Sequence, residues 1–128
     1  MTEPKVAREV AESEVSRWAE LMEADPSASD RGNVARAIMS GRLSLDEGAE
    51  TFLLRLRHPI KLENKAEFDT LTVRAPTFRE SCDAAKGKND SDTTLRLLGA
   101  ITEQPIGILE RLPQKEINLL GSLLSFFG

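Results

Sequence analysis

The sequence predicts a mostly helical α+β fold: N-terminal helices, one central antiparallel β-hairpin and a C-terminal helical bundle. Three observations carry this. Apolar residues recur at helical spacing toward both ends of the chain. Residues 54–57 and 70–73 alternate apolar with polar. Proline and glycine punctuate the joins. At 128 residues the chain reads as an amphipathic helical arm over 1–30 and a body over 31–128, with the hairpin at about 50–75 and the C-terminal helices at 77–128.

Residues 4–24 form the first amphipathic helix. Ala7, Val10, Ala11, Val15, Trp18, Leu21 and Met22 share one face, and Glu9, Glu12, Ser16, Glu20 and Glu23 take the other. Glu14 falls inside the apolar stripe. Either the stripe is only partly covered there or Glu14 meets a partner. Pro26 stops this helix, and Ser27 with Asp30 has the spacing of a capping box. A shorter helix follows through Val34, Ala35, Ala37 and Ile38. Gly41 suits its C′ position, where a left-handed backbone costs glycine little. "RLSLDEGAE" then leads into the hairpin.

In the first strand Phe52, Leu54 and Leu56 point one way, Arg55 and Arg57 the other. Pro59 limits further pairing, and the turn lies near Glu63-Asn64-Lys65. In the second strand Leu71 and Val73 share a face, but Phe68 is out of phase with them. Either a bulge intervenes or regular pairing starts near residue 70. Two strands alone are marginal in water, so this hairpin needs helices on its apolar face or strands from another chain.

Arg74-Ala75-Pro76 ends the strand, and Thr77 with Glu80 forms a capping box. Phe78, Cys82 and Ala85 make a short helical stripe, which predicts a buried structural thiol. Residues 86–92 are a polar linker. Residues 92–103 form a helix with Leu95, Leu98 and Ile101 inward, stopped by Pro105. "IGILERL" supplies one or two helical turns. Pro113 opens the last helix, which runs to about Phe127. From Ile117 to Gly128 no side chain carries a charge. Ile117, Leu120, Leu123, Leu124 and Phe127 form a stripe, and Leu119 and Phe126 widen it beyond the roughly 100° of a surface helix. Such a helix is either central to the core or meets another chain with its second flank.

Composition excludes several classes. The formal net charge is −4 with a pI near 5.1, and no basic run exists to track a phosphate backbone, so nucleic acid is not an expected partner. One cysteine allows no internal disulfide. The first residues are too charged for a signal peptide, and no apolar run reaches membrane-span length. His58 sits at a strand end, with no second His or Cys for a zinc site or a Cys–His pair. No calcium-loop spacing and no phosphate-binding glycine loop occurs. These absences predict a non-enzyme without cofactor or metal.

The segment "TFLLRLRHPIKLENKAEFDTLTVRAPTFRE" resembles the phage tail assembly chaperones, in particular the Mu-like prophage group. The resemblance rests on His58-Pro59-Ile60, Leu62 to Asn64, Phe68, Leu71-Thr72-Val73-Arg74 and Pro76-Thr77. It extends through "LRLLGAITEQP" and back through "NVARAIMSGRLSLDEGAETF", covering roughly residues 33–128. Lys65 departs from the glycine usual in that group.

The resemblance implies a protein of the bacterial host cytoplasm, absent from the mature virion. Such a chaperone holds the apolar, helical tape measure protein soluble and helps recruit tail tube subunits. Several members are also made in a longer form by ribosomal frameshift, and Phe126-Phe127-Gly128 is compatible with a slippery run in the gene. Spare apolar helix width suits a holdase that packs a helix in a groove. The expected partner-binding residues are Leu119, Leu120, Leu123, Phe126 and Phe127, with Trp18 and Met22 second. The free hairpin edge offers a route to homo-oligomers by strand addition. The competing readings are a structural tail adaptor of the virion and a small helical regulator or secretion-type adaptor.

Overall fold

A computed structural model describes residues 6–63 and 66–127. The elements run α1 (Arg8–Leu21), α2 (Ala28–Met39), β1 (Leu43–Asp46), β2 (Thr51–Lys61), β3 (Glu67–Val73), α3 (Phe78–Ala84), α4 (Asp90–Thr102), α5 (Ile106–Leu109) and α6 (Gln114–Leu124), closed by a 3₁₀ turn at Ser125–Phe127. The fold is mostly helical α+β, as the sequence predicts.

The sheet holds one strand more than the predicted hairpin. Its order is β1-β2-β3, antiparallel throughout. Leu43 and Leu45 alternate with Ser44 and Asp46, but four residues are too few to identify a strand until β2 supplies its hydrogen bonds. Leu43, Leu54 and Leu71 stand side by side across the strands, as do Leu45, Phe52 and Val73. This inner face is buried except for half-buried Leu45, whereas Ser44, Leu53 and Thr72 line up on the exposed outer face.

The out-of-phase Phe68 has a structural cause. Arg55 pairs with Thr70, but the next pair is Ile60 with Phe68, so four residues of β2 face one of β3. The irregularity contains Pro59, where its missing N–H is not needed in the ladder. It also returns Ile60 to the inner face beside half-buried Phe68. The expected turn residues Asn64 and Lys65 lie outside the described residues, as do residues 4 and 5 of the expected first helix.

Local signals act largely as read. Gly41 follows α2 with φ 75°. Ser27 Oγ accepts the Asp30 N–H at 3.1 Å. Thr77 and Glu80 form the reciprocal capping box. Asn89 caps α4 by accepting the Asp92 N–H at 2.8 Å, so that helix starts two residues before the predicted position.

The stripe Phe78, Cys82 and Ala85 is corrected. Helix α3 packs on α4 through its buried Ala84, and this turns the stripe to solvent. Phe78 is 86% exposed and Cys82 is exposed, so the cysteine is not a buried thiol. A helix this short has one supported side, and α4 selects it.

Helix α1 is not detached from the body. It packs on α2 and buries Ala11, Val15, Trp18 and Ala19 in the same core as the sheet and α6. Glu14, the exception on its apolar face, is explained by Trp18: the indole Nε1–H donates to Glu14 Oε2 at 3.1 Å. Arg17 donates to the same oxygen at 2.7 Å and also pairs with Glu47. The Arg17 guanidinium, foremost, holds the Glu14 carboxyl below its ordinary range.

Phe126→Ala removes a fully buried ring. It should cost about 3–5 kcal/mol, read as a lower urea midpoint, whereas Phe78→Ser should change stability by less than about 0.5 kcal/mol. A second expectation concerns acid. Arg74 donates to both Glu80 oxygens at 2.8 and 2.7 Å, and the Thr77 N–H donates to the same carboxylate at 2.9 Å. The guanidinium first, then that amide, pull the Glu80 carboxyl from 4.5 down to about 2. A depressed folded-state value stabilises above the unfolded one, so the contribution is full above pH 4.5 and disappears as pH falls toward about 2. Glu80→Gln should therefore destabilise at neutral pH, with the difference from wild type shrinking across that window in unfolding titrations.

Candidate functional site

The seven residues expected to bind a partner converge in space, but mostly inside the molecule. Leu119, Leu120, Leu123, Phe126 and Trp18 are buried, with Leu119 the most accessible of them at 5%. Met22 and Phe127 are half-buried. The expected surplus of apolar surface on α6 is therefore not exposed through these residues. The core takes it up because Phe52 gathers the rings: Trp18 lies 5.5 Å from it, Phe127 5.5 Å and Phe126 6.0 Å, centroid to centroid. Met22, Phe126 and Phe127 also border a shallow notch with Leu21, Glu50 and Ala75.

Polar contacts fix where α6 lies. Arg42 Nη1 donates to Glu116 Oε1 at 3.1 Å and to Oε2 at 3.2 Å, and reaches the Arg55 carbonyl at 3.1 Å. Glu116 is 4% exposed, so this pair sits largely out of water and demands its geometry. Farther along, Asn33 Nδ2 donates to Ser122 Oγ at 3.0 Å, and Ser122 donates to Asp30 Oδ1 at 2.9 Å. Together these contacts pin α6 to α2 and to the start of β1.

With α6 held by α2, a cleft of about 820 Å³ opens between α6 and α4. Leu98, Leu109 and Leu112 form its apolar floor, and half-buried Leu95 and Ile117 stand in its walls. Asp30, Asp90 and Glu110 give the rim an acidic character. A Cβ built on Gly121, which lines this cleft, meets no atom within 4 Å. The helix thus presents bare backbone to the open space. Leu95, Leu98 and Ile117 were legible as apolar helix positions. The cleft between them was not, although a glycine inside an apolar helix was its available sequence signal.

Among the described residues, no group of three or more His, Cys, Asp or Glu is placed to hold a metal ion, and no helix is long and apolar enough to cross a membrane. The site offers apolar contact and surface charge.

A family model described as "Phage tail assembly chaperone proteins, E, or 41 or 14" matches residues 53–128, more than half of the sequence. The chain belongs to this family of phage tail assembly chaperones. No curated protein and no solved structure matches it. The matched region of this chaperone begins within β2 and includes every residue of α4 and α6 that lines the cleft. It leaves out α1, α2 and β1, which nevertheless supply Trp18, Val34, Ile38 and Leu43 to the shared core.

Gly121→Ala should stabilise this chaperone by about 0.5–1 kcal/mol, because alanine loses less backbone freedom in a helix and the added methyl meets open space. Thermal unfolding of the two proteins measures the difference.

Proposed function

We propose that this tail assembly chaperone is a non-enzymatic holdase of the host cytoplasm that keeps the tape measure protein soluble during tail morphogenesis. The observation carrying the reading is the α4–α6 cleft, an apolar-floored groove within the region matched by the family. An amphipathic client helix would lay its apolar face over the half-buried Leu95 and Ile117, above the leucine floor, as in other helix-in-groove complexes. The net charge of −4 would keep the complex from associating nonspecifically. Release to growing tail tube subunits requires no chemistry, only competition for the client.

The residues first expected to touch the client divide into two roles in this proposal. Leu119, Leu120, Leu123, Phe126 and Trp18 anchor α6, and so shape the cleft wall from behind. Met22 and Phe127, at the notch near the chain end, remain accessible as a secondary contact. Self-association would use the unpaired edges of β1 and β3.

Co-expression with the tape measure protein tests the proposal. Wild type and Gly121→Ala should keep that protein soluble and copurify with it. Gly121→Trp, whose indole would occupy the cleft, should retain the fold by circular dichroism and lose the client. Undiminished copurification with Gly121→Trp would place client binding elsewhere.

A further inference from the structure

A second cavity, of about 560 Å³, lies between α2, the irregular end of β2 and the start of α6. Its character is opposite to that of the acidic-rimmed cleft. Arg36, Arg57, His58 and Lys115 line it beside the Arg42–Glu116 pair. Among the described residues, Glu116 is the only carboxylate lining it, and both oxygens of that group already accept from Arg42. Arg36 donates to the neutral amide oxygen of Asn33. Among the described residues, neither Arg57 nor Lys115 forms an ion pair. A chain with net charge −4 thus gathers uncompensated cations around one concave space. Like charges so placed repel one another unless an anion joins them.

We infer that this cavity binds carboxylate side chains of an acidic protein segment. Guanidinium groups match carboxylates bidentately, and Lys115 adds a point charge. A nucleic acid fits less well. Its phosphates need a basic track, whereas here the cations are gathered at one cavity and the solvent face of α1 carries Glu9, Glu12 and Glu20.

The cavity adjoins the apolar cleft. Asn33 lines both, and the first turn of α6 gives Gln114 to the cleft and Lys115 to the cavity. One bound polypeptide can therefore place apolar side chains in the cleft and acidic ones in the cavity. The inference rests on the holdase reading only for the partner's identity; the recognition of carboxylates stands apart from it.

The test is fluorescence anisotropy at low salt with the full chain and three dye-labelled probes: a short glutamate-rich peptide, its lysine counterpart and a short poly-dT oligonucleotide. The glutamate peptide should bind, weaken as salt is added and outcompete the other two. Arg57→Ala combined with Lys115→Ala should weaken it about tenfold or more while leaving the unfolding midpoint unchanged. Arg57→Gln with Lys115→Gln, which keeps the side-chain length, should behave alike. Gly121→Trp should leave peptide binding intact, so undiminished copurification of the tape measure protein with that variant would count against the cleft and not the cavity. No binding of the glutamate peptide, undiminished binding by both double variants, or tighter binding of the oligonucleotide would each overturn the inference.

Discussion

Phe52 stands in the central strand of the sheet, and rings from both ends of the chain close on it. Trp18 arrives from α1, and Phe126 and Phe127 from the turn after α6. The contacts are tilted or edge-on, the arrangements that the ring quadrupoles favour. Phe52 itself has no exposed surface. One side chain of a three-stranded sheet therefore couples the first helix to the last, and a sheet that would be weak alone gains the cover its inner face requires. Glu14 belongs to the same arrangement, because burying Trp18 obliges its indole N–H to find an acceptor.

The polar contacts of α6 add direction to that apolar closure. Burial alone would allow the helix to slide or roll. The Arg42–Glu116 pair holds its first turn beside the start of β1, and the Asn33–Ser122–Asp30 chain holds a later turn against α2. Once α6 is committed to α2 it cannot also cover α4. The open space between α4 and α6 is the geometric consequence, and Gly121 leaves it unfilled.

Membership of the tail assembly chaperone family gives this geometry its meaning. The holdase role proposed for this chain would require adaptable apolar contact. The molecule carries a leucine-floored cleft and, next to it, a cavity of opposite charge character. Neither depends on a bond-making group. The two share α2 and α6 as common walls, so the contacts that orient α6 also set the spacing between the cleft and the cavity. Helices α1 and α2 lie outside the matched region yet complete the core, and α2 also lines both cavities.

The sequence by itself determined what is local. The buried stripe of α2, the capping box at Thr77 and Glu80, Gly41 at the end of α2 and the inward phase of Phe52, Leu54, Leu71 and Val73 follow from residue type and spacing over a few positions, whereas Val10 and Leu21, placed on the apolar face of α1, are exposed. The resemblance to the family was legible in the hairpin residues for the same reason. Tertiary structure alone decided what covers each face. Periodicity showed that α6 has a wide apolar surface, but whether Leu119 and Phe126 lie inside or outside depends on Trp18 and Phe52, distant in sequence. Periodicity likewise grouped Phe78 with Cys82, and α4 then took the opposite side of α3 through Ala84. Strand β1 stayed hidden because four alternating residues become a strand only when a neighbour pairs with them. The two clefts were invisible because each is a gap between elements, and a gap belongs to no segment of sequence.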